Sequence, residues 1–150
     1  MSSSRNVPGA RLLAGLLPRR TPDMAVLFID PDTASAQPLA QALRRVSAVA
    51  LVPTWQMAKA AIATRAPNLI VTELDLPDAN GVDLIASVHT SPALRHVLVV
   101  VVTARATIQD KIAAFQAGAD DYLVKPVAPQ EFVEHVQRLS HFRQILSDSS

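Results

Sequence analysis

The run VLVVVV at residues 97–102 is the feature that most restricts the fold of this chain. Six consecutive aliphatic residues in so short a segment are typical of a strand covered on both faces, in the middle of a parallel sheet. Four further short apolar runs, at residues 25–29, 48–52, 68–72 and 122–124, are also suited to strands. The sequence therefore predicts a sheet of five strands.

Helical segments separate these runs. Helices are predicted at residues 33–44, 54–64, 82–89, 106–117 and 129–146. Thr33 and Thr54 are suited to cap the first two helices, and Gly118 suits a left-handed position after the fourth. Strict alternation of strands and helices predicts an α/β fold with a parallel sheet and helices on both faces. Right-handed crossovers then favour a doubly wound, flavodoxin-like (βα)5 arrangement with strand order 2-1-3-4-5.

The predicted domain covers residues 24–146, with a flexible N-terminal tail at 1–23 and frayed C-terminal residues at 147–150. Residues 1–22 contain four arginines and no acid. This composition leaves a transit peptide as an alternative to a simple tail. The apolar patch at residues 12–17 is too short for a secretory signal.

Composition limits where the protein is expected to act and what it is expected to bind. The chain has no cysteine, which fits a reducing compartment, so a cytoplasmic location is expected. No apolar run approaches the ~18 residues that span a bilayer, and no membrane partner is predicted. A net charge of +1 gives no reason to expect nucleic acid as a partner.

Polar residues stand where four of the predicted strands end. Asp30 follows the first strand, Glu73 the third, Thr103 the fourth and Lys125 the fifth. In open α/β sheets the carboxyl ends of the strands form the crevice where ligands bind. The sequence therefore predicts one polar crevice built from two acids, a hydroxyl and an ammonium group, with Asp32 close by.

Four stretches carry a resemblance to a known family: VLFIDPD, PNLIVTELDLPDANGVDLI, VVVVTARA and GADDYLVKP. Through them, residues 25–135 resemble the receiver domain of bacterial two-component response regulators. The resemblance implies an acidic pair that helps to hold Mg²⁺ and an aspartate after the third strand that accepts a phosphoryl group from a histidine kinase. It also implies a hydroxyl residue and a lysine that bind the phosphoryl oxygens.

Carried over to this chain, the resemblance assigns four residues. Asp30 matches the first acid of the pair, Thr103 the switch hydroxyl and Lys125 the phosphate-binding lysine. Tyr122 matches the aromatic residue that changes rotamer on activation. The resemblance also implies a cis peptide bond between Lys125 and Pro126.

Two positions depart from the family pattern. Pro31 stands where the second acid of the pair should be, and Glu73 stands at the phospho-acceptor position in place of aspartate. Displacing a nucleophile by one methylene can cost ~10²-fold in rate. The missing carboxylate also weakens a Mg²⁺ site, for which the remaining candidate ligands are Asp30, Asp32, Glu73 and Asp75. We therefore predict a degenerate site with weak or absent Mg²⁺ and no other cofactor.

The function predicted from these features is that of an atypical receiver domain in two-component signalling, which is not an enzyme and acts through protein contacts independently of phosphorylation. Glu73 could pair with Lys125 and accept a hydrogen bond from Thr103, which would hold an active-like state. Alternatively, it could merely neutralise Lys125 and hold the inactive state.

Three other functions remain as alternatives. A conventional phosphorylatable receiver would need Asp32 as a metal ligand. A flavodoxin-like cofactor-binding module would need a hydroxyl- and glycine-rich loop where this chain has Asp30-Pro31-Asp32. A hydrolase using Asp30 and Glu73 lacks an evident nucleophile.

The last predicted helix carries an apolar stripe whose second half extends past the expected edge of the sheet. The stripe consists of Phe132, Val136, Leu139, Phe142 and Leu146. We therefore predict a homodimer or a signalling partner bound through the fourth and fifth helices. Because the chain ends soon after this helix, its effect is expected to pass to another protein.

Overall fold

The computed structural model describes residues 24–149, so the predictions for residues 1–23 and for Ser150 lie outside the described residues. The strands are β1 (Ala25–Ile29), β2 (Ala48–Val52), β3 (Leu69–Thr72), β4 (Leu98–Thr103) and β5 (Asp121–Val124). The helices are α1 (Thr33–Arg44), α2 (Trp55–Thr64), α3 (Gly81–Thr90), α4 (Ile108–Ala117) and α5 (Pro129–Ser149). All strand pairs are parallel and follow the order β2-β1-β3-β4-β5, which confirms the predicted fold.

The apolar runs are explained by a hydrophobic core on each face of the sheet. Alternate side chains of a strand point to opposite faces, so a strand covered on both sides is apolar throughout. In β1, Phe28 packs into the core beneath α1 and α5, where its ring centroid lies 5.7 Å from that of Phe132. Its neighbour Leu27 packs into the opposite core beneath α2, α3 and α4. All six residues of β4 are buried.

Helix caps place the first residues of the helices. Asp32, rather than Thr33, caps α1, because its Oδ1 atom accepts a hydrogen bond from Ser35 N at 3.1 Å. Thr54 caps α2 as predicted. Gly118 ends α4 with a φ of 124°, a conformation that favours glycine, which confirms the predicted C-terminal cap.

Several boundaries differ from the prediction by one to three residues. β4 lies one residue later than predicted, so Thr103 is its last residue. Helix α4 begins at Ile108 because Thr107 caps it through a hydrogen bond from Asp110 N at 3.1 Å. Helix α5 continues to Ser149, so residues 147–149, which we expected to fray, are helical. Within residues 24–149, no helix is both long and apolar enough to span a bilayer.

Candidate functional site

Backbone hydrogen bonds continue past the ends of the strands and place the polar residues at one edge. Glu73 N donates to Ile29 O at 3.0 Å, which holds Glu73 beside the end of β1. Lys125 N donates to Thr103 O at 2.8 Å, which holds Lys125 beside the end of β4. The side chains that follow the strands therefore start from neighbouring positions.

Three of the predicted site residues meet in one ionic cluster. Lys125 Nζ lies 2.9 Å from Asp30 Oδ2 and 2.9 Å from Glu73 Oε2. Both acids are buried, with 1% of Asp30 and 8% of Glu73 exposed. The Lys125 ammonium group thus forms ion pairs with two buried carboxyl groups, which lie on separate loops. The peptide bond between Lys125 and Pro126 is cis, as the resemblance implied.

The electrostatic environment keeps Lys125 charged. Burial by itself lowers the pKa of the Lys125 ammonium, but the hydrogen bonds to Asp30 and Glu73 outweigh it. The net result is a pKa above the ordinary value of 10.5. At neutral pH the lysine therefore supplies a fixed positive charge to the crevice.

The Glu73 carboxylate is engaged through both of its oxygens. Oε2 accepts from Lys125 Nζ, while Oε1 accepts from the backbone N of Leu74 at 2.8 Å. The buried hydroxyl Oγ1 of Thr103 instead accepts a hydrogen bond from Arg105 N at 3.3 Å. No hydrogen bond found among residues 24–149 joins Thr103 to Glu73, so only the lysine partner expected for Glu73 is in place.

The four candidate metal ligands do not form one cluster, since only Asp30 and Glu73 meet, at Lys125. Asp32 is used to cap α1. The Asp75 carboxylate is paired with Arg105, whose Nη2 and Nε atoms lie 2.6 and 3.1 Å from its two oxygens. Within the described part of the chain, no group of three or more His, Cys, Asp or Glu residues is arranged to hold a metal. Since Lys125 already lies between Asp30 and Glu73, the residues present do not fit the Mg²⁺ site that the resemblance implies.

Tyr122 lies beside the crevice in a defined orientation. Its hydroxyl donates to Arg105 O at 2.8 Å, and its ring centroid lies 6.3 Å from that of Phe115 on α4. Partial burial raises the pKa of the Tyr122 hydroxyl, and the negative charge of Asp110 adds to this effect. The hydroxyl therefore remains a hydrogen-bond donor at neutral pH.

Two residues that shape this edge were not predicted from the sequence. Arg105 bridges Asp75 and Asp110, and the bonds to Asp75 raise the pKa of its guanidinium. Asp78, in the loop after β3, accepts from the backbone N of Trp55 at 3.0 Å and of Gln56 at 2.9 Å, the first two residues of α2. The partners of Asp78 lie 23 and 22 residues away in the sequence, so no local pattern would have identified them.

Glycine at position 81 lets the loop after β3 close tightly. A Cβ atom there would lie 2.5 Å from Leu74 Cα and 2.8 Å from Glu73 O. Gly81 N also donates to Leu74 O at 2.8 Å. The glycine of the LPDANG stretch therefore allows α3 to begin directly against the backbone that carries Glu73.

The fold and the strand-end residues define a receiver-type α/β domain, and comparison with known proteins agrees. The profile of the family described as "Response regulator receiver domain" matches residues 26–137. The chain belongs to the receiver-domain family of two-component response regulators.

Relatives include regulators that are longer than this chain. The transcriptional regulatory protein BasR of Escherichia coli is 36% identical over 117 residues, covering 77% of this chain and 52% of BasR. The KDP operon transcriptional regulatory protein KdpE of the same species is 42% identical over 95 residues, covering 57% of this chain and 41% of KdpE. The chain thus spans about half the length of these curated relatives or less.

Solved structures of receivers have the same architecture. A response regulator receiver domain protein, described as CheY-like, from Methanospirillum hungatei has a TM-score of 0.74 and 26% identity. The alignment covers 81% of this chain and 96% of that one. A response regulator from Chloroflexus aurantiacus, described as putative, has a TM-score of 0.73 and 32% identity, with coverage of 79% and 97%.

Proposed function

We propose that this receiver domain acts in two-component signalling through protein contacts and without phosphorylation at position 73. The observation that carries the proposal is the state of the Glu73 carboxylate, whose two oxygens are bound by Lys125 Nζ and by Leu74 N. A phosphoryl acceptor attacks through a carboxylate oxygen. Here each Glu73 oxygen already accepts a hydrogen bond within the fold, and attack would compete with that bond.

The chemistry of phosphoryl transfer strengthens this proposal. Transfer depends on positioning and on neutralisation of charge, largely by a metal ion. Glutamate places the reacting oxygens one methylene further from the backbone than aspartate does, and Pro31 supplies no carboxylate to a metal. Lys125, which the resemblance assigns to the phosphoryl group, is already neutralised by Asp30 and Glu73.

A conventional phosphorylatable receiver is the main alternative. It would require Asp32 to bind the metal, but the Asp32 carboxylate caps α1 through Ser35 N. Binding a metal through Oδ1 would displace this cap, which typically costs ~1 kcal/mol.

Four further expectations stay predictions. They are that the domain catalyses no reaction, binds no cofactor, binds no nucleic acid and is cytoplasmic.

Acetyl phosphate with Mg²⁺ tests the proposal, with incorporation of a phosphoryl group read by intact mass. We expect no labelling of the unchanged protein and weak labelling of Glu73→Asp or Pro31→Asp alone. The double variant should label more than the two single variants together, because both groups act in one transition state. Ready labelling of the unchanged protein would refute the proposal. Full labelling of Glu73→Asp alone would refute the separate metal-site defect assigned to Pro31 and would point to Asp32 as the metal ligand.

We further infer that partner contact uses α4 and α5. On α4 the exposed fractions are 70% for Ile108, 50% for Ile112 and 47% for Phe115. On α5, Phe132 and Val136 are fully buried against the sheet, as predicted for the first half of the helix. Its second half exposes large apolar side chains, namely Phe142, Ile145 and Leu146. On each helix the three exposed residues recur at three- and four-residue intervals and so share one face, which is typical of a binding surface.

Light scattering after size exclusion, at increasing protein concentration, tests self-association through this surface. We expect a dimer that is weakened by Phe142→Ala and by Ile112→Ala. Met57→Ala is the matched control, because Met57 is also half exposed but lies on α2. A monomer at all concentrations that no variant changes would leave the homodimer without support and count against it.

A further inference from the structure

We propose that Arg105 is a positioning residue that holds Tyr122 and the loop between β4 and α4 in one arrangement without a phosphoryl group. The inference deepens the proposed function and rests on it, since it names what fixes this region when position 73 is not phosphorylated. The observation behind it is the set of contacts of Arg105, which reach the loop after β3, the end of β4, the first turn of α4 and the strand β5.

The backbone and the side chain of Arg105 have different partners. Its backbone N donates to Thr103 Oγ1 at 3.3 Å, and its carbonyl oxygen accepts from the Tyr122 hydroxyl at 2.8 Å. Its guanidinium donates two hydrogen bonds to the Asp75 carboxylate, of 2.6 and 3.1 Å. Arg105 thus touches both residues to which the resemblance assigns the switching role.

The side-chain bonds anchor the loop that carries these backbone contacts. Asp75 lies two residues after Glu73, in a loop where Asp75 and Asn80 form an isolated antiparallel β-bridge. A third bond runs from Arg105 Nη1 to Asp110 Oδ1 in the first turn of α4, at 3.3 Å. Two carboxylates on separate elements therefore fix the guanidinium, and a planar two-bond pairing with Asp75 also fixes its direction.

The Arg105–Asp75 ion pair is largely exposed to solvent, which limits its strength. The side chains of Arg105 and Asp75 are 49% and 64% exposed, and ion pairs of this kind contribute little to the stability of a fold. They are also screened by salt, since the Debye length falls from about 10 Å at 0.1 M to about 3 Å at 1 M. We therefore expect Arg105 to determine where Tyr122 points, with little effect on whether the domain folds.

Tyr122 offers a specific readout because it is the only tyrosine of the chain. Incorporation of 3-fluorotyrosine into the full chain gives a single fluorine resonance, which is recorded without any phosphodonor. The variants are Arg105→Ala, Arg105→Lys, Asp75→Asn and the double variant Arg105→Ala/Asp75→Asn. Arg95→Ala is the matched control, since Arg95 is an exposed arginine between α3 and β4.

We expect Arg105→Ala and Asp75→Asn to move the resonance in the same direction, toward that of free fluorotyrosine. The double variant should move it no further than the larger single change, because both variants break one bridge. Arg105→Lys should give an intermediate shift, since lysine keeps the charge but not the two-bond geometry. For the unchanged protein, about 1 M salt should produce a shift in the same direction.

An unmoved resonance in Arg105→Ala would overturn the proposal, and so would a shift of equal size in the Arg95→Ala control. A shift in Arg105→Ala without one in Asp75→Asn would overturn the part assigned to the Asp75 bridge. If Arg105→Ala does not fold, the salt titration and the lysine variant decide the question. Labelling of the unchanged protein by acetyl phosphate would refute the proposed function and would leave this fluorine result as measured.

Discussion

Replacing Lys125 with methionine tests the ionic cluster directly. Methionine keeps an unbranched apolar chain but removes the charge that Asp30 and Glu73 share. Removing one partner of a buried ion pair costs about 3–5 kcal/mol, because it leaves an uncompensated charge in the interior. The Lys125 side chain is 24% exposed, so water offsets part of this loss. We therefore expect the free energy of unfolding at pH 7 to fall by about 2–4 kcal/mol.

The loss should depend on pH in a defined direction. The folded-state pKa of Lys125 is raised above 10.5, so its stabilising contribution is complete below that pH and is lost as the pH rises through the folded-state value. The difference between the two proteins should therefore be full at neutral pH and shrink as the pH rises above 10.5, where the lysine of the unchanged protein begins to lose its charge.

Urea unfolding, followed by the fluorescence of the single tryptophan Trp55, measures this difference at pH 7 and at a pH above 10.5. Lys111→Met is the matched control, because it removes the same charge from α4, at a position outside the cluster. A loss below about 1 kcal/mol at pH 7, the range of exposed ion pairs, would show that the cluster does not stabilise the fold. An equal loss at both pH values would contradict the electrostatic explanation.

Two further substitutions test the loop after β3. Gly81→Ala should lower the free energy of unfolding by about 1–3 kcal/mol in urea titrations, because the new Cβ would meet the backbone of Leu74 at 2.5 Å. Ser87→Ala, at an exposed site of the same helix, should be neutral or slightly stabilising. Asp78→Ala should lower the urea midpoint at pH 7. Hydrogen bonds from Gln56 N and then Trp55 N hold the pKa of Asp78 below 3.8, so this stabilisation is present above pH 3.8 and disappears as the pH falls through the lower folded-state value. A midpoint difference that persists at the lowest pH would contradict this assignment.

The sequence by itself determined the architecture and the edge at which the site would form. The aliphatic run that became β4 could be satisfied only between two apolar layers, and alternation of strands with helices then left few topologies. The residues after the strands predicted the meeting of Asp30, Glu73 and Lys125, because parallel strands end at one edge. These predictions succeed because they need only the local pattern of apolar residues and the order of strands and helices along the chain.

The tertiary structure decided what each side chain does at that edge. From the sequence, Asp32 was a candidate metal ligand and Thr33 was expected to cap α1, but in the folded chain Asp32 itself is the cap. Nothing near Arg105 in the sequence indicates a partner at Asp75, 30 residues earlier, since that distance depends on how two loops fold over the sheet. Hydrogen bonds require atoms within about 3 Å, and for residues far apart in the chain only the assembled sheet and its loops fix such distances.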